Sequence, residues 1–116
     1  MIEQEKTLPT ILDKVSSSDE VTFKLFIDPD IHWFVGHFPD EPILPGVVQV
    51  DWALHYAKEI GFSAASFVGF SRVKFKAVVR PEVELDLNIR RSSDNAYRFS
   101  FSSGAVLYSQ GAVNCR

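Results

Sequence analysis

An α+β fold, with an antiparallel sheet wrapped around one long helix, is what this 116-residue sequence predicts. Three observations predict it. Segment 45–61 is apolar around most of a helical circumference. A strand-like segment, 21–28, precedes it, and a run of alternating segments follows it. A helix apolar on nearly every side is one that the fold buries. Strands with one apolar face need a second layer to cover that face.

In chain order, "TLPTILDKVSSSDE" predicts a short amphipathic turn of helix followed by a serine-rich loop. "VTFKLFID" at 21–28 alternates, with Val21, Phe23, Leu25 and Ile27 on one face, so it predicts a half-buried strand. "DPD" ends it with turn chemistry. From Ile31 to Pro45 the spacing is irregular, with prolines at 39, 42 and 45, and an ordered loop is expected. Pro45 suits a helix start, where its missing N–H does no harm. "PGVVQVDWALHYAKEIG" is the long helix, with Gly61 as its C-terminal stop. Its early β-branched residues lower its intrinsic propensity, so packing must supply most of its stability. Strands are expected at roughly 66–79, 82–91, 96–103 and 105–114, with "SSDN" and "SSG" as hairpin connections.

Composition bounds the function. Length and a hydrophobic fraction of 46% predict one domain, 1–116, with a real core that a second subunit would reinforce. A formal charge of −3 gives no reason to expect nucleic acid as a partner. One cysteine allows no intrachain disulfide, which suits a reducing compartment. Neither a secretory leader nor a membrane span is legible, so a cytoplasmic location is expected.

The stretch "HWFVGHFPDEPILPGVVQVDWALHYA" (32–57) places two ionisable groups, His37 and Asp51, among apolar neighbours. Two readings are open. They could be satisfied structural groups, as most buried polar side chains are. Alternatively, an imidazole and a desolvated carboxylic acid form a general acid–base pair. Burial raises a carboxyl pKa, so an Asp inside this helix is expected to hold a proton near neutral pH. Gly46 at the helix start offers an unobstructed N–H to polarise a carbonyl oxygen, aided by the helix dipole.

"GHFPDEPILPGVVQVD" closely resembles the signature of the 3-hydroxyacyl-[acyl-carrier-protein] dehydratases of the hotdog superfamily. There a GHFP loop is followed by P-[IV]-[ML]-P-G-V and by an acid fourteen positions after the histidine, as Asp51 follows His37 here. "VKFKAVVRP" resembles the family's region after the helix, so the likeness runs loosely over 20–114. It implies a hotdog fold and a dimer, with itself or with a related subunit, whose two active sites lie at the interface. It further implies that His37 abstracts the α-proton of an acyl thioester. Asp51, usually from the other subunit, would protonate the leaving β-hydroxyl, and the Gly46 N–H would bind the thioester carbonyl. No metal or redox cofactor is implied. "PILPGVVQ" looks closest to a branch found with aryl polyene biosynthesis. Two other functions remain open: hydrolysis of acyl thioesters, as related hotdog proteins perform it, and a non-catalytic partner subunit.

Several residues extend or depart from the pattern. His55 stands where the family often has an amide, one turn after the acid, and is expected to stay neutral and hydrogen-bond to Asp51 or to water. "RPEVEL" at 80–85 replaces the usual "PGD". Arg72, Lys74 and Lys76 alternate with Val73, Phe75 and Ala77, so they are expected on one strand face. They form either a solvated surface or a docking stripe for an acidic acyl carrier protein. Trp33, Phe34, Phe38, Trp52 and Phe70 are candidates for an acyl tunnel, but each is also an ordinary core residue, and core is the preferred reading for most of them.

Overall fold

The first element overturns an expectation. In the computed structural model, which describes residues 6–34 and 42–116, the segment expected to form a helical turn is strand β1 (Thr10–Ser16). It pairs antiparallel with β2 (Glu20–Phe26). Asp28 ties the pair together, accepting from Thr10 N at 2.9 Å and Thr10 Oγ1 at 2.8 Å, with Lys6 Nζ 3.3 Å away. Partial burial pushes the Asp28 carboxyl up, but the bonds from Thr10 and the Lys6 charge outweigh it and hold the group below its usual range. A short helix here would have left the outer edge of β2 without backbone partners.

The remaining strands are β3 (Phe67–Phe75), β4 (Glu84–Ser93), β5 (Ala96–Ser103) and β6 (Val106–Cys115). They join one six-stranded antiparallel sheet in the order β1-β2-β4-β5-β6-β3. Helix α1 (Gly46–Ala57) lies on one face and continues as a 3-10 turn, Lys58–Ile60. Gly61 then stops it with φ of 98°, the left-handed conformation that favours glycine. This is the hotdog architecture, one helix wrapped by an antiparallel sheet. No helix among the described residues is long and apolar enough to cross a membrane.

Strand alternation builds the core as the sequence predicts. Phe23 and Leu25 of β2, Leu85 and Leu87 of β4, and Phe99 and Phe101 of β5 are buried, and they cluster with Trp52, Ala53 and Tyr56 of α1. The residues between them, Asn88, Arg90, Arg98 and Ser100 among them, belong to the opposite face.

Two strand boundaries differ from expectation. β3 ends at Phe75 rather than 79, because the N–H groups of Lys76 and Ala77 both turn to Tyr108 O, at 2.8 and 3.3 Å, and do not continue the ladder. Val79 is fully buried, and its carbonyl accepts from Leu44 N at 2.8 Å, just before α1. The "RPEVEL" segment then turns through Glu82, at φ of 68°, whose N–H reaches Ile27 O at 2.7 Å. β3 also contains a bulge. Its register passes from Ser71–Ala112 to Lys74–Gln110, so Arg72 and Val73 together oppose Gly111. A Cβ on Gly111 would lie 2.8 Å from Phe99 Cε2 and 2.9 Å from Val73 Cγ2, so glycine is what lets the bulge close over the core.

Candidate active site

The helix entry is held by backbone. Pro45 O accepts from Val48 N at 3.1 Å and Gln49 N at 3.4 Å, and no side chain caps the helix. Among the described residues, no hydrogen bond claims the Gly46 N–H, the state expected of a first-turn donor. The ring of Phe75 packs directly on Gly46; a Cβ there would fall 2.7 Å from Phe75 Cζ. Glycine thus serves two purposes, an open donor and a seat for the ring.

Asp51 departs from expectation. The sequence reading buries α1 on nearly every side, but its own chain covers only part of it. Val47 is 72% exposed, and Asp51, His55 and Lys58 are exposed along the same side. These positions fall on the arc of the helix turned away from the sheet, at spacings of three and four residues. The desolvation expected to keep Asp51 protonated is therefore not supplied by this chain alone. Asp51, Leu54, His55 and Lys58 line a hollow of about 250 Å³ with Phe62, Ala64 and Phe67. Of the two partners expected for His55, Asp51 or a water, the bond to Asp51 is not formed. The His55 ring lies edge-on to Tyr56, with centroids 4.9 Å apart. Burial pushes the Tyr56 phenol up to about 12, so it stays protonated at neutral pH.

His37 and Phe38 lie outside the described residues. Three of the other tunnel candidates fit the core reading. Trp52 and Phe34 are buried in the core and Trp33 packs against it. Both indole N–H groups converge on Thr7 O, Trp52 at 3.0 Å and Trp33 at 3.2 Å. These three side chains close space rather than line it. Phe70 is partly exposed on β3, stacked edge-on with Phe67. The cations are corrected as well. Arg72 and Lys74 keep the shared face, and Lys76 departs from it. Arg72 and Lys74 line a concavity on the sheet face opposite α1, while Lys76 lies beyond the strand's end, its N–H on Tyr108 O at 2.8 Å.

One residue beside the site escaped the sequence reading. Gln49, between Gly46 and Asp51, is buried and accepts from Ser109 Oγ of β6 at 2.7 Å. This bond pins the first turn of α1 to the sheet, next to the strand carrying Phe75. A lone amide in an apolar helix was the available signal. Gln49→Leu leaves the Ser109 hydroxyl unpaired in the core and is expected to cost about 1–3 kcal/mol, read from the urea midpoint. Adding Ser109→Ala should recover much of that loss.

Comparison with known proteins supplies context for this geometry. The model of the ApeI-like family, described as ApeI dehydratase, matches residues 13–112. A 3-hydroxyacyl-[acyl-carrier-protein] dehydratase FabZ from Clostridium botulinum is 34% identical over 91 residues, covering 66% of this chain and 63% of that protein. The chain thus spans less than two thirds of that relative. Among solved structures, the dehydratase heterocomplex ApeI:P from Xenorhabdus doucetiae superposes with a TM-score of 0.85 at 32% identity, over 95% of this chain and 100% of the other. An uncharacterized protein from Erwinia carotovora subsp. atroseptica gives 0.77 at 31% identity, over 95% and 97%.

Proposed function

Because this chain belongs to the ApeI-like dehydratase family, we propose that it removes water from 3-hydroxyacyl chains held as thioesters on an acyl carrier protein. His37 takes the α-proton. The electrons form the new double bond as the C–O bond at the β-carbon breaks, and Asp51 protonates the departing hydroxyl, which leaves as water. The Gly46 N–H stabilises the negative charge that builds on the thioester oxygen. The product is a trans-2-enoyl thioester, in a fatty acid or aryl polyene pathway, and the scheme calls for no metal or redox cofactor.

The observation that carries this reading is the sharing of one helix by an unclaimed donor and an accessible acid. Gly46 and Asp51 stand five residues apart, about 7.5 Å along the axis. In this reading the exposed Asp51 serves the site of a second subunit, as the resemblance implies, while Gly46 serves the site of its own chain. The exposed side of α1 also supports a second hotdog subunit, identical or related, as the cover that excludes water from Asp51. The exposed apolar Val47, Val68 and Phe75 favour such a cover.

Mass spectrometry of a carrier-bound 3-hydroxyacyl chain, looking for loss of water, tests the proposal. His37→Ala should abolish that loss. Retained dehydration would remove His37 as the base, and hydrolysis of acyl thioesters without dehydration would select the hydrolase reading. Carrier docking by Arg72, Lys74 and Lys76 belongs to the same proposal. Reversing all three charges should raise KM for a carrier-borne substrate by about tenfold or more and leave a short soluble thioester unaffected. Equal effects on both substrates would sink the docking role.

A further inference from the structure

The sheet face turned away from α1 carries a concavity of about 640 Å³ whose lining includes Arg72, Lys74, Arg90 and Arg98. Ser100 and Gln110 lie between these cations. The chain as a whole has a formal charge of −3, so this concentration of positive charge runs against its net balance.

Three features make the cluster more than a solvated surface. Arg90 and Arg98 are direct partners across the β4–β5 ladder, and like charges placed directly opposite destabilise a sheet. Arg72 joins them from the β3 bulge at φ of 55°, a conformation that side chains other than glycine rarely adopt. None of the four cations forms an ion pair among the described residues, where the bridges involve Lys6, Lys14 and Lys24. The acid nearest in register, Glu20 opposite Arg90, accepts from Asn88 at 3.0 Å.

We propose that this concavity binds a small phosphate-rich anion, a chain of contiguous phosphates, free or carried on a nucleotide. Guanidinium forks match phosphate oxygens two at a time. Arg90 on β4 and Lys74 on β3 stand on strands about 14 Å apart, three strand spacings, within the combined reach of long side chains. A broad acidic protein surface fits less well. The same face of β4 carries Asp86, 3.9 Å from Lys24, and the exposed Glu84, and an extended partner would lie over those carboxylates too. A compact anion held between the cations avoids those two carboxylates. This inference does not depend on the dehydratase reading. Arg72 and Lys74 are shared with carrier docking, whereas Arg90 and Arg98 are not.

The test is titration calorimetry of the full chain at low salt with inorganic tripolyphosphate, ATP and a polyglutamate peptide, repeated on the Arg90→Gln/Arg98→Gln double variant. Tripolyphosphate should bind the native chain, weaken as salt screens the site, and lose at least about tenfold in affinity in the variant. Without ligand, the variant should melt no lower than the native protein, because a like-charge pair has been removed, and it should process a short thioester normally. ATP binding more tightly than tripolyphosphate would point to a nucleotide source. Equal binding would place recognition in the phosphate chain alone. Absence of phosphate binding, undiminished binding by the double variant, or polyglutamate binding as tightly as tripolyphosphate would each overturn the proposal.

Discussion

Asp51→Asn is expected to slow dehydration of a carrier-bound 3-hydroxyacyl chain by about 10²–10⁴-fold, the usual contribution of a positioned general acid. The melting temperature should stay where it was. Both halves follow from position. Asp51 is exposed in its own chain and forms no ion pair or hydrogen bond with another described side chain, so an isosteric amide removes little stability. An amide can still accept and donate hydrogen bonds, but it cannot deliver a proton to a leaving hydroxyl. In the proposed scheme the acid acts as the C–O bond breaks, so kcat and kcat/KM should fall together, with KM little changed. His55→Gln provides the contrast. With no bond between His55 and Asp51, that variant should leave the pH–rate profile unchanged. Activity within a few-fold of native in Asp51→Asn would show that the acid lies elsewhere.

Where sequence and structure agree, and where they part, has a physical explanation. Alternation fixed β2, β4 and β5 well, because each buries one face and a one-residue slip would expose Phe23, Leu87 or Phe101. The helix was legible from its apolar run and from Gly61. Its exposure was not, because periodicity records which residues are apolar and not which molecule covers them. Val47 is apolar and exposed, and Asp51 is exposed beside it, so the pattern of a buried helix was present without the cover. β1 was misread because its apolar residues fit a helical turn as well as an exposed edge strand. What decides for strand is a distant partner, Asp28, holding Thr10 by its backbone and its hydroxyl. The cation stripe failed at Lys76, because β3 ends at Phe75 and the next two N–H groups turn to Tyr108 O, a partner far along the chain. Of the site, Gly46 and Asp51 could be named from the motif. Gln49 could not, since its bond to Ser109 joins residues 60 positions apart.

Trp52→Ala carries the largest expected loss of stability, about 3–5 kcal/mol, and it decides between two roles for the same side chain. Trp52 is 1% exposed on the inner side of α1, and its indole N–H holds Thr7 O at 3.0 Å. Truncation leaves a large void between helix and sheet and frees the segment leading into β1 from one of its two indole anchors. Against a typical total of about 5–15 kcal/mol, such a loss should bring the urea midpoint down steeply, as followed by circular dichroism. Trp52→Phe separates the components, because it keeps most of the buried volume and removes only the donor. Trp33 still reaches Thr7 O at 3.2 Å, so the phenylalanine variant should lose only about 0.5–1.5 kcal/mol for the missing bond, plus whatever the smaller ring costs in packing. A tunnel-lining tryptophan would behave differently. Its replacement by alanine would leave the midpoint nearly unchanged and extend the range of acyl chain lengths accepted. Unchanged stability with altered chain-length preference would therefore move Trp52 from the core to the substrate path, and with it the side of α1 on which the acyl chain must run.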